Sequence, residues 1–183
     1  MSQLAGHRVL VTGGSRGIGR AIALACAGAG AAVAFNWSRD EDGGEAEETL
    51  AVLRATGATV HGAQADVSDA EAVSRLFASV REALGGAPDV LVNNAAVTHD
   101  GLLMMLPETG WRRVLDVDLT GAYLCSRSAL RGMIAGRWGR IVNVVSPAAF
   151  SARRVRRHMR PRKAAWSRSP SRSHARSRAT GSP

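Results

Sequence analysis

The residues with the clearest chemical potential are the glycines of Thr12–Gly19, which read TGGSRGIG. Gly13, Gly17 and Gly19 permit a tight turn and a close backbone approach to a pyrophosphate at the N-terminus of a helix. A merely flexible loop would have a similar composition. This segment, however, lies between the apolar run RVLVT and a run with helical spacing, which is the context that such a turn requires. The pattern therefore predicts a dinucleotide-binding turn.

Strands and helices that would position this turn alternate along the chain as far as Ser146. Apolar strand signals at RVLVT, AAVAFNW, ATVHGAQADV, DVLVNNAA and GRIVNVVS are separated by segments of helical periodicity. Asp69 is a candidate N-cap of the third helix, and a long helix is expected over much of Trp111–Ala135. This order favours right-handed crossovers and a parallel sheet covered on both faces. We therefore expect an α/β fold with a doubly wound parallel sheet.

Charge divides the chain into two parts. Residues 1–150 contain 13 basic and 15 acidic residues, a net charge of −2, whereas residues 151–183 contain 11 basic residues and no acid, a net charge of +11. We expect one domain over residues 1–150 and a disordered, arginine- and serine-rich tail over residues 151–183. A tail that binds RNA or DNA is the alternative. Trp166 is its only aromatic residue, so base stacking has little support and we do not favour nucleic-acid binding.

Several classes of protein are disfavoured by the remaining composition. Cys26 and Cys125 lie in apolar helical stretches, which is typical of reduced, buried thiols in a cytosolic protein. The five histidines have no metal-ligand spacing. The uncharged run Ala21–Phe35 is too short and too interrupted by glycine to span a bilayer, and no secretory leader precedes it. We expect a soluble, cytoplasmic protein without a metal or a membrane partner.

Four motifs in a fixed order make the chain resemble a short-chain dehydrogenase/reductase. They are TGGSRGIG, ADV at residues 65–67, NNAA at residues 93–96 and GRIVNVVS ending at Ser146. The segment VTHDGLLMMLPETGWRRVLDVDLTG is similar to the corresponding part of 3-oxoacyl-(acyl-carrier-protein) reductases. The resemblance covers about residues 6–150 and implies a Rossmann-type sheet of seven strands in a homotetramer. Because the basic tail follows the fifth strand signal, we expect the sheet to be truncated after that strand.

The resemblance also implies a nicotinamide dinucleotide cofactor and a set of residues that contact it. It implies that Asp66 holds the adenine amino group, beside the backbone of Val67. It also implies that Asn94 lies along the cofactor, whereas Asn93 has a structural role. Ala96 replaces a glycine that is usual in the family. The candidate cofactor-binding residues are Gly13, Ser15, Arg16, Gly17, Ile18, Gly19, Ser38, Arg39, Asp66, Val67 and Asn94.

The end of the second strand favours NADPH over NADH. Dinucleotide-binding folds that select NAD place an acid there, where it accepts hydrogen bonds from the ribose hydroxyls. This sequence reads NWSR at that point and has no acid until Asp40. Arg16 and Arg39 could instead clamp a 2′-phosphate through charge-assisted hydrogen bonds. The alternative is that both arginines are solvated surface residues.

The candidate catalytic residues are Ser146 and Asp118, and both depend on the resemblance. It implies that Ser146 hydrogen-bonds the substrate carbonyl, although the residue could also be a strand-end cap. It also calls for a tyrosine as proton donor, a lysine four residues later that lowers the tyrosine pKa, and a water-ordering asparagine. Asp118 occupies the asparagine position as an acceptor-only anion. Met159 occupies the tyrosine position, and Lys163 occupies the lysine position.

A change of reading frame would explain the missing tyrosine. If CAT encodes His158 and suitable synonymous codons encode residues 160–163, omission of the first two bases of the His158 codon gives Tyr-Ala-Ala-Ala-Lys. The new tyrosine then falls at the expected distance from Ser146. We interpret the residues from about Ser151 onward as the family's sequence read in the wrong frame, through either a sequencing error or a mutation. A CAC codon for His158 would exclude this interpretation.

These observations predict NADPH-dependent reduction of a 3-oxoacyl (β-keto) thioester of fatty-acid or polyketide type. Arg137 matches an arginine on which acidic acyl carrier proteins dock in such reductases. Alternatively, it is a helix C-terminal arginine that interacts with the helix dipole. Without the Tyr-x-x-x-Lys motif we expect this chain to be inactive and the homotetramer to be impaired. The alternative function is a non-catalytic product that retains affinity for the nucleotide.

Overall fold

The computed structural model describes residues 3–38 and 43–146. Several positions named above lie outside the described residues: Arg39, the domain boundary at residue 150, Met159, Lys163, and the whole of residues 151–183.

Within the described residues, five parallel strands form a single sheet in the order β3-β2-β1-β4-β5. The strands are β1 (Arg8–Val11), β2 (Ala32–Trp37), β3 (Val60–Gln64), β4 (Val90–Asn93) and β5 (Arg140–Asn143). From β1 the chain winds outward through β2 to β3, and then crosses back to add β4 and β5 on the other side of β1. The predicted doubly wound parallel sheet is therefore confirmed. Its topological switch point, where such folds bind ligands, lies between β1 and β4.

Helices connect the strands in the predicted order. They are α1 (Gly17–Gly28), α2 (Gly43–Arg54), α3 (Ala70–Ala83), α4 (Glu108–Leu115) and α5 (Ala122–Ala135). The predicted N-cap of α3 is confirmed, because the Asp69 carboxylate accepts the Glu71 N–H at 2.9 Å. The predicted long helix begins at Glu108 rather than at Trp111, and a π-helical segment, Asp116–Gly121, separates α4 from α5.

Apolar side chains on the two faces of the sheet form two cores. Because side chains alternate along a strand, Val9 and Val11 pack with α1 and α2, whereas Leu10 packs with α3 and α5. All three side chains are fully buried. Burial on both faces explains why the strands read as apolar runs rather than as alternating patterns. In the described ranges, no helix combines the length and the apolar character that crossing a membrane requires.

Candidate functional site

A cavity of about 450 Å³ lies at the carboxyl ends of β1, β2, β3 and β4. It includes the switch point of the sheet. Nine of the eleven predicted cofactor-binding residues line it: Gly13, Ser15, Arg16, Ile18, Gly19, Ser38, Asp66, Val67 and Asn94. Gly17 is not among the lining residues, and Arg39 is outside the described ranges. Residues far apart in the sequence thus meet around one opening, because parallel strands place their carboxyl ends at the same edge of the sheet.

The glycine turn between β1 and α1 leaves no room for side chains at Gly13, Gly14 and Gly19. A Cβ atom at Gly14 would lie 2.5 Å from Phe35 Cβ. Gly13 has a φ of +63°, and a Cβ atom there would lie 2.9 Å from Ala95 Cα. A Cβ atom at Gly19 would collide with the Gly13 carbonyl oxygen and lie 2.5 Å from Asn94 Nδ2. The first glycine therefore permits the turn, and the last lets α1 approach β4 closely.

Helix α1 begins at this turn without a side-chain cap, since Arg16 is its N-cap residue and its side chain makes no capping hydrogen bond. The first N–H groups of a helix have no partner within the helix, and they carry the positive end of its dipole. Helix α1 contains 12 residues, so its dipole is well developed. The turn and the helix start together form a cradle suited to a phosphate group.

Asn94 fixes the shape of the glycine turn. Its side-chain amide donates to the carbonyl oxygens of Thr12 and Gly13, both at 2.9 Å. In return, the Thr12 hydroxyl oxygen accepts the N–H groups of Asn94 and Ala95 at 3.0 Å. Asn94 was predicted to lie along a cofactor, and its role in holding the turn was not predicted. Its position on the cavity wall allows both roles.

Neighbouring Asn93 points away from the cavity, into the sheet. Its amide donates to Asn143 Oδ1 at 2.8 Å and to Ser126 Oγ at 3.1 Å. These contacts link β4 to β5 and α5, so the geometry gives Asn93 a structural setting.

Asn36 is a buried residue at the end of β2 that the sequence analysis did not assign. Its side-chain Oδ1 atom accepts the Gly13 N–H at 3.3 Å, and its side-chain amide donates to the Ala65 carbonyl oxygen at 2.7 Å. It therefore joins the ends of three adjacent strands. Asn36, Trp37 and Ser38 all line the cavity, so the described part of this strand end presents no carboxylate to a ribose.

Asp66 belongs to a closed ring of hydrogen bonds on the cavity wall. Its Oδ1 atom accepts from the Ser68 N–H at 2.9 Å and from the Ser68 hydroxyl at 2.7 Å. Its Oδ2 atom accepts from Arg113 at 2.8 Å, and Arg113 also donates to Ser68 Oγ at 2.8 Å. Burial raises the pKa of the Asp66 carboxyl, but the hydrogen bonds from Ser68 and Arg113 outweigh burial and hold the pKa below its ordinary value. The carboxylate is therefore ionised at neutral pH.

Arg113 is the main lining residue that the sequence analysis missed. It lies on α4, 47 residues after Asp66, and no local pattern connects the two positions. The available signal was that an acid predicted to bind adenine could have a basic partner. Three arginines lie within the segment between β3 and α5, at positions 75, 81 and 112, besides Arg113, so the sequence alone could not have chosen among them.

Asp118 lies on the π-helical segment behind the wall that follows β4. The side chain is buried, and its Oδ1 atom accepts the Val97 N–H at 2.8 Å. Val97 lines the cavity, whereas Asp118 does not. An acceptor-only side chain suits this backbone contact, and π-helical turns recur at functional sites.

Ser146 lies three residues beyond the end of β5, at the same edge of the sheet as the cavity, and is half-buried. Pairing of β5 with β4 continues to Val144, whose N–H donates to the Asn93 carbonyl oxygen at 3.0 Å. Met159 and Lys163, which occupy the expected tyrosine and lysine positions, lie outside the described residues, so the catalytic set is not assembled among the described residues.

The two arginines with proposed ligand roles lie at opposite edges of the sheet. Arg16 lines the cavity and is exposed, and its guanidinium contacts the Glu45 carboxylate at 3.2 Å. Arg137 follows α5 and precedes β5, so it lies at the amino edge, away from the cavity. It has a φ of +54°, a conformation that usually ends a helix on glycine. Any carrier protein bound at Arg137 would therefore contact a surface remote from the cavity of the same chain.

Two further types of chemistry have no support in the described ranges. No group of three His, Cys, Asp or Glu residues there could hold a metal ion. Burial raises the pKa of the Cys125 thiol to about 12, so this cysteine is not a nucleophile at neutral pH. Cys26 is half-buried rather than buried as expected, and burial raises its thiol pKa as well.

Comparison with known proteins gives consistent matches. The profile of the family described as short chain dehydrogenase matches residues 7–158. A 3-oxoacyl-(acyl-carrier-protein) reductase of Aquifex aeolicus is 38% identical over 149 residues, covering 81% of this chain and 59% of the relative. The protein of the same name from Pseudomonas aeruginosa is 40% identical over 143 residues, covering 78% of this chain and 56% of the relative.

Solved structures show the same similarity. A short chain dehydrogenase from Burkholderia cenocepacia, in complex with NADP, is 36% identical with a TM-score of 0.77, covering 84% of this chain and 61% of that one. A short-chain type dehydrogenase/reductase from Mycobacterium marinum is 28% identical with a TM-score of 0.82, covering 89% of this chain and 66% of that one. The chain thus spans less than two thirds of the length of these relatives.

Proposed function

The chain belongs to the short-chain dehydrogenase/reductase family, and we propose that its described residues form the NADPH-binding half of a 3-oxoacyl thioester reductase. Members of this family are oxidoreductases that bind a nicotinamide cofactor. The single observation that carries the proposal is the cavity at the strand ends. It combines an uncapped helix N-terminus, a glycine turn that cannot hold side chains and an acid, Asp66, on the cavity wall.

The cavity fits a phosphorylated dinucleotide. Glycine at positions 13 and 19 keeps open a cradle that Cβ atoms would obstruct, and α1 directs its first N–H groups into this cradle. At the end of β2, where an acid would select NAD, the described residues are Asn36, Trp37 and Ser38. Arg16 supplies a cation at the cavity wall for the 2′-phosphate, and we propose that Arg39 supplies a second. The NADP complex of the Burkholderia relative supports this choice.

The substrate class follows from the relatives whose names specify 3-oxoacyl-(acyl-carrier-protein) as substrate. We propose that the intact reductase acts on such a thioester in fatty-acid or polyketide synthesis in the cytoplasm, as a homotetramer. Arg137 is proposed as a docking point for the acidic carrier protein. Because Arg137 lies at the edge of the sheet remote from the cavity, we propose that it serves a neighbouring subunit's site.

This chain itself is proposed to hold NADPH without reducing a substrate. When bound, NADPH would supply the hydride for reduction of a carbonyl group, and a side chain of the protein would have to donate a proton to the carbonyl oxygen. Met159 has no acidic proton to donate at the tyrosine position. Ser146 and Asp118 would remain as a carbonyl hydrogen-bond donor and a positioning acid without that proton donor. We attribute residues from about 151 onward to the family's sequence in a shifted frame, following a domain over residues 1–150.

Cofactor binding is tested by titrating the full chain with NADPH and with NADH, monitored by the fluorescence of the reduced nicotinamide. We expect NADPH to bind more tightly. Arg16→Leu should reduce this preference by about tenfold or more, because hydrogen bonds between charged groups are among the stronger ones. Arg20→Leu is the matched control, since Arg20 of α1 pairs with Glu48 of α2 at 3.1 Å and does not line the cavity. Equal affinity for both nucleotides, or equal effects of the two variants, would contradict the NADPH assignment.

A further inference from the structure

The hydrogen-bond ring formed by Asp66, Ser68 and Arg113 on the cavity wall fixes the orientation of the Asp66 carboxylate. Arg113 uses both terminal nitrogens, one on Asp66 Oδ2 and one on Ser68 Oγ, at 2.8 Å each. The Ser68 hydroxyl accepts from Arg113 and therefore directs its proton to Asp66 Oδ1 at 2.7 Å. A planar guanidinium that bridges two acceptors fixes both of them in orientation. The Asp66 carboxylate thus has a single defined rotation.

The same contacts limit how many further hydrogen bonds Asp66 can accept. An ionised carboxylate has about four acceptor positions. The described residues fill three of them, because Ser68 donates twice to Oδ1 and Arg113 donates once to Oδ2. The remaining position is on Oδ2, and Asp66 lines the cavity. A ligand group at this point must be a donor, since an acceptor would face the negative oxygen.

We propose that Arg113 is a positioning residue that, with Ser68, holds Asp66 so that the cavity selects a purine with an exocyclic amino group. Arg113 acts through Asp66, and selectivity for the base depends on the ring as a whole. This inference rests on the proposed function, because it concerns how the same dinucleotide site recognises its base.

The backbone around Asp66 is held independently of Arg113. Val67 and Val117 are both buried, and Gly121 of the π-helical segment lies so close to Val67 that a Cβ atom would be 2.7 Å from Val67 Cγ2. Loss of the Arg113 side chain therefore leaves the wall of the cavity in place. It removes the Arg113 hydrogen bond to Asp66 Oδ2, so that the carboxylate is held only through the two Ser68 contacts to Oδ1. A loosened Oδ2 atom is what the proposal requires of a test variant.

The test compares the affinity of the full chain for NADPH and for its reduced hypoxanthine analogue, in which a carbonyl oxygen replaces the adenine amino group. Wild-type protein should favour NADPH by at least about tenfold, as expected for a hydrogen bond to a charged acceptor. Arg113→Ala should reduce this ratio to within about threefold. Arg112→Ala is the matched control, because Arg112 is the adjacent arginine of α4 and its contact is the exposed Glu108 at 2.6 Å. It should leave the ratio unchanged.

The outcomes separate this proposal from the proposed function. If the wild-type chain binds neither nucleotide, the dinucleotide site itself is wrong. If it binds both equally, or if Arg113→Ala keeps the wild-type ratio, the site stands and the role of Arg113 is refuted. Should thermal melting show that Arg113→Ala is unfolded, Ser68→Ala opens the same ring from the other side. A wild-type ratio in Ser68→Ala would then overturn the proposal.

Discussion

Gly19 allows the phosphate cradle to form because it has only a hydrogen atom where any other residue has a Cβ atom. The closest atoms to a Cβ there belong to Gly13 and Asn94, which are also the two ends of the contact that shapes the turn. Substitution would therefore displace the turn, the asparagine, or both. The sequence predicted the turn, because the spacing of the glycines indicates where the backbone must turn tightly and approach a neighbouring element.

Gly19→Ala should weaken NADPH binding by about tenfold or more and lower stability by about 1–3 kcal/mol, since overpacking against backbone cannot relax freely. The measurements are NADPH titration and urea denaturation of the full chain. Gly28→Ala is the control in the same helix, because a Cβ at Gly28 meets nothing within 4 Å. It should raise stability by up to about 1 kcal/mol through helix propensity. Similar behaviour of the two variants would contradict the close-approach argument.

Polar contacts between elements were less predictable than the glycines. Asn36 and Arg113 each bind groups 23 residues or more away in sequence, so only the folded topology brings the partners together. The segment that contains Asn36 was interpreted only from its lack of an acidic residue. The hydrogen bonds that Asn36 makes were found in the structure. Arg113 had no local signal at all. The sequence therefore predicted nine of the residues that line the cavity, and not the hydrogen bonds that hold the cavity in shape.

At the scale of elements, the order and type of strands and helices followed from periodicity. The interruption of the long helix did not, because the apolar spacing runs through Asp116–Gly121 without a proline. The π-helical turn places Asp118 at the Val97 N–H and Gly121 against Val67. Both are tertiary contacts, which override local helical preference.

The amino edge of the sheet is held by a carboxylate that joins β1 to the start of β4. Asp89 accepts three hydrogen bonds from Arg8, from the backbone N–H, Nε and Nη2, each at 2.9 Å. Burial raises the pKa of the Asp89 carboxyl, but the contacts with Arg8 outweigh it and lower the pKa below its ordinary value. The stabilisation is thus complete above the unfolded-state pKa, near 4, and is lost as pH falls through the lower folded-state value.

Asp89→Asn should lower the free energy of unfolding by about 1–3 kcal/mol near neutral pH. We expect the lower part of this range, because both side chains are partly exposed. Urea denaturation at about pH 7 and about pH 3 should show that the difference from wild type shrinks in acid. Glu71→Gln, which breaks the exposed Glu71–Arg75 pair, should have no measurable effect at either pH. A difference that persists undiminished in acid would contradict the ionic origin of the stabilisation.

At the scale of the whole molecule, large apolar side chains are exposed on the last two elements of the described domain, α5 and β5. Leu130 and Ile134 on α5 are 43% and 72% exposed, and Val142 on β5 is 49% exposed. Exposed apolar residues on neighbouring elements promote association. The oligomeric state of the chain remains a prediction.

The full chain should associate in a concentration-dependent way, which sedimentation velocity would measure. Ile134→Glu should weaken association by placing a charge in the exposed apolar face. Ala135→Glu is the control, since it introduces the same charge at an adjacent exposed position of α5 without removing a large apolar side chain. A chain that stays monomeric at every concentration, or that responds equally to both substitutions, would contradict a role for this face.

The origin of the basic tail is decided by the gene rather than by the protein. The frame hypothesis expects a codon for His158 that ends in T, so that a shift of two bases creates a tyrosine codon. A CAC codon there would exclude the hypothesis. Restoring the frame should produce a protein that reduces an acetoacetyl thioester, measured by the consumption of NADPH.

A single experiment tests both that this chain binds NADPH and that it does not reduce a thioester. Purified 1–183 chain is titrated with NADPH until binding saturates, and an acetoacetyl thioester is then added while the absorbance of the reduced nicotinamide is followed. We predict saturable binding with no thioester-dependent oxidation above the rate without protein. Turnover by this polypeptide, or failure of the correctly folded chain to bind NADPH, would contradict the proposal that the chain binds NADPH without catalysing reduction.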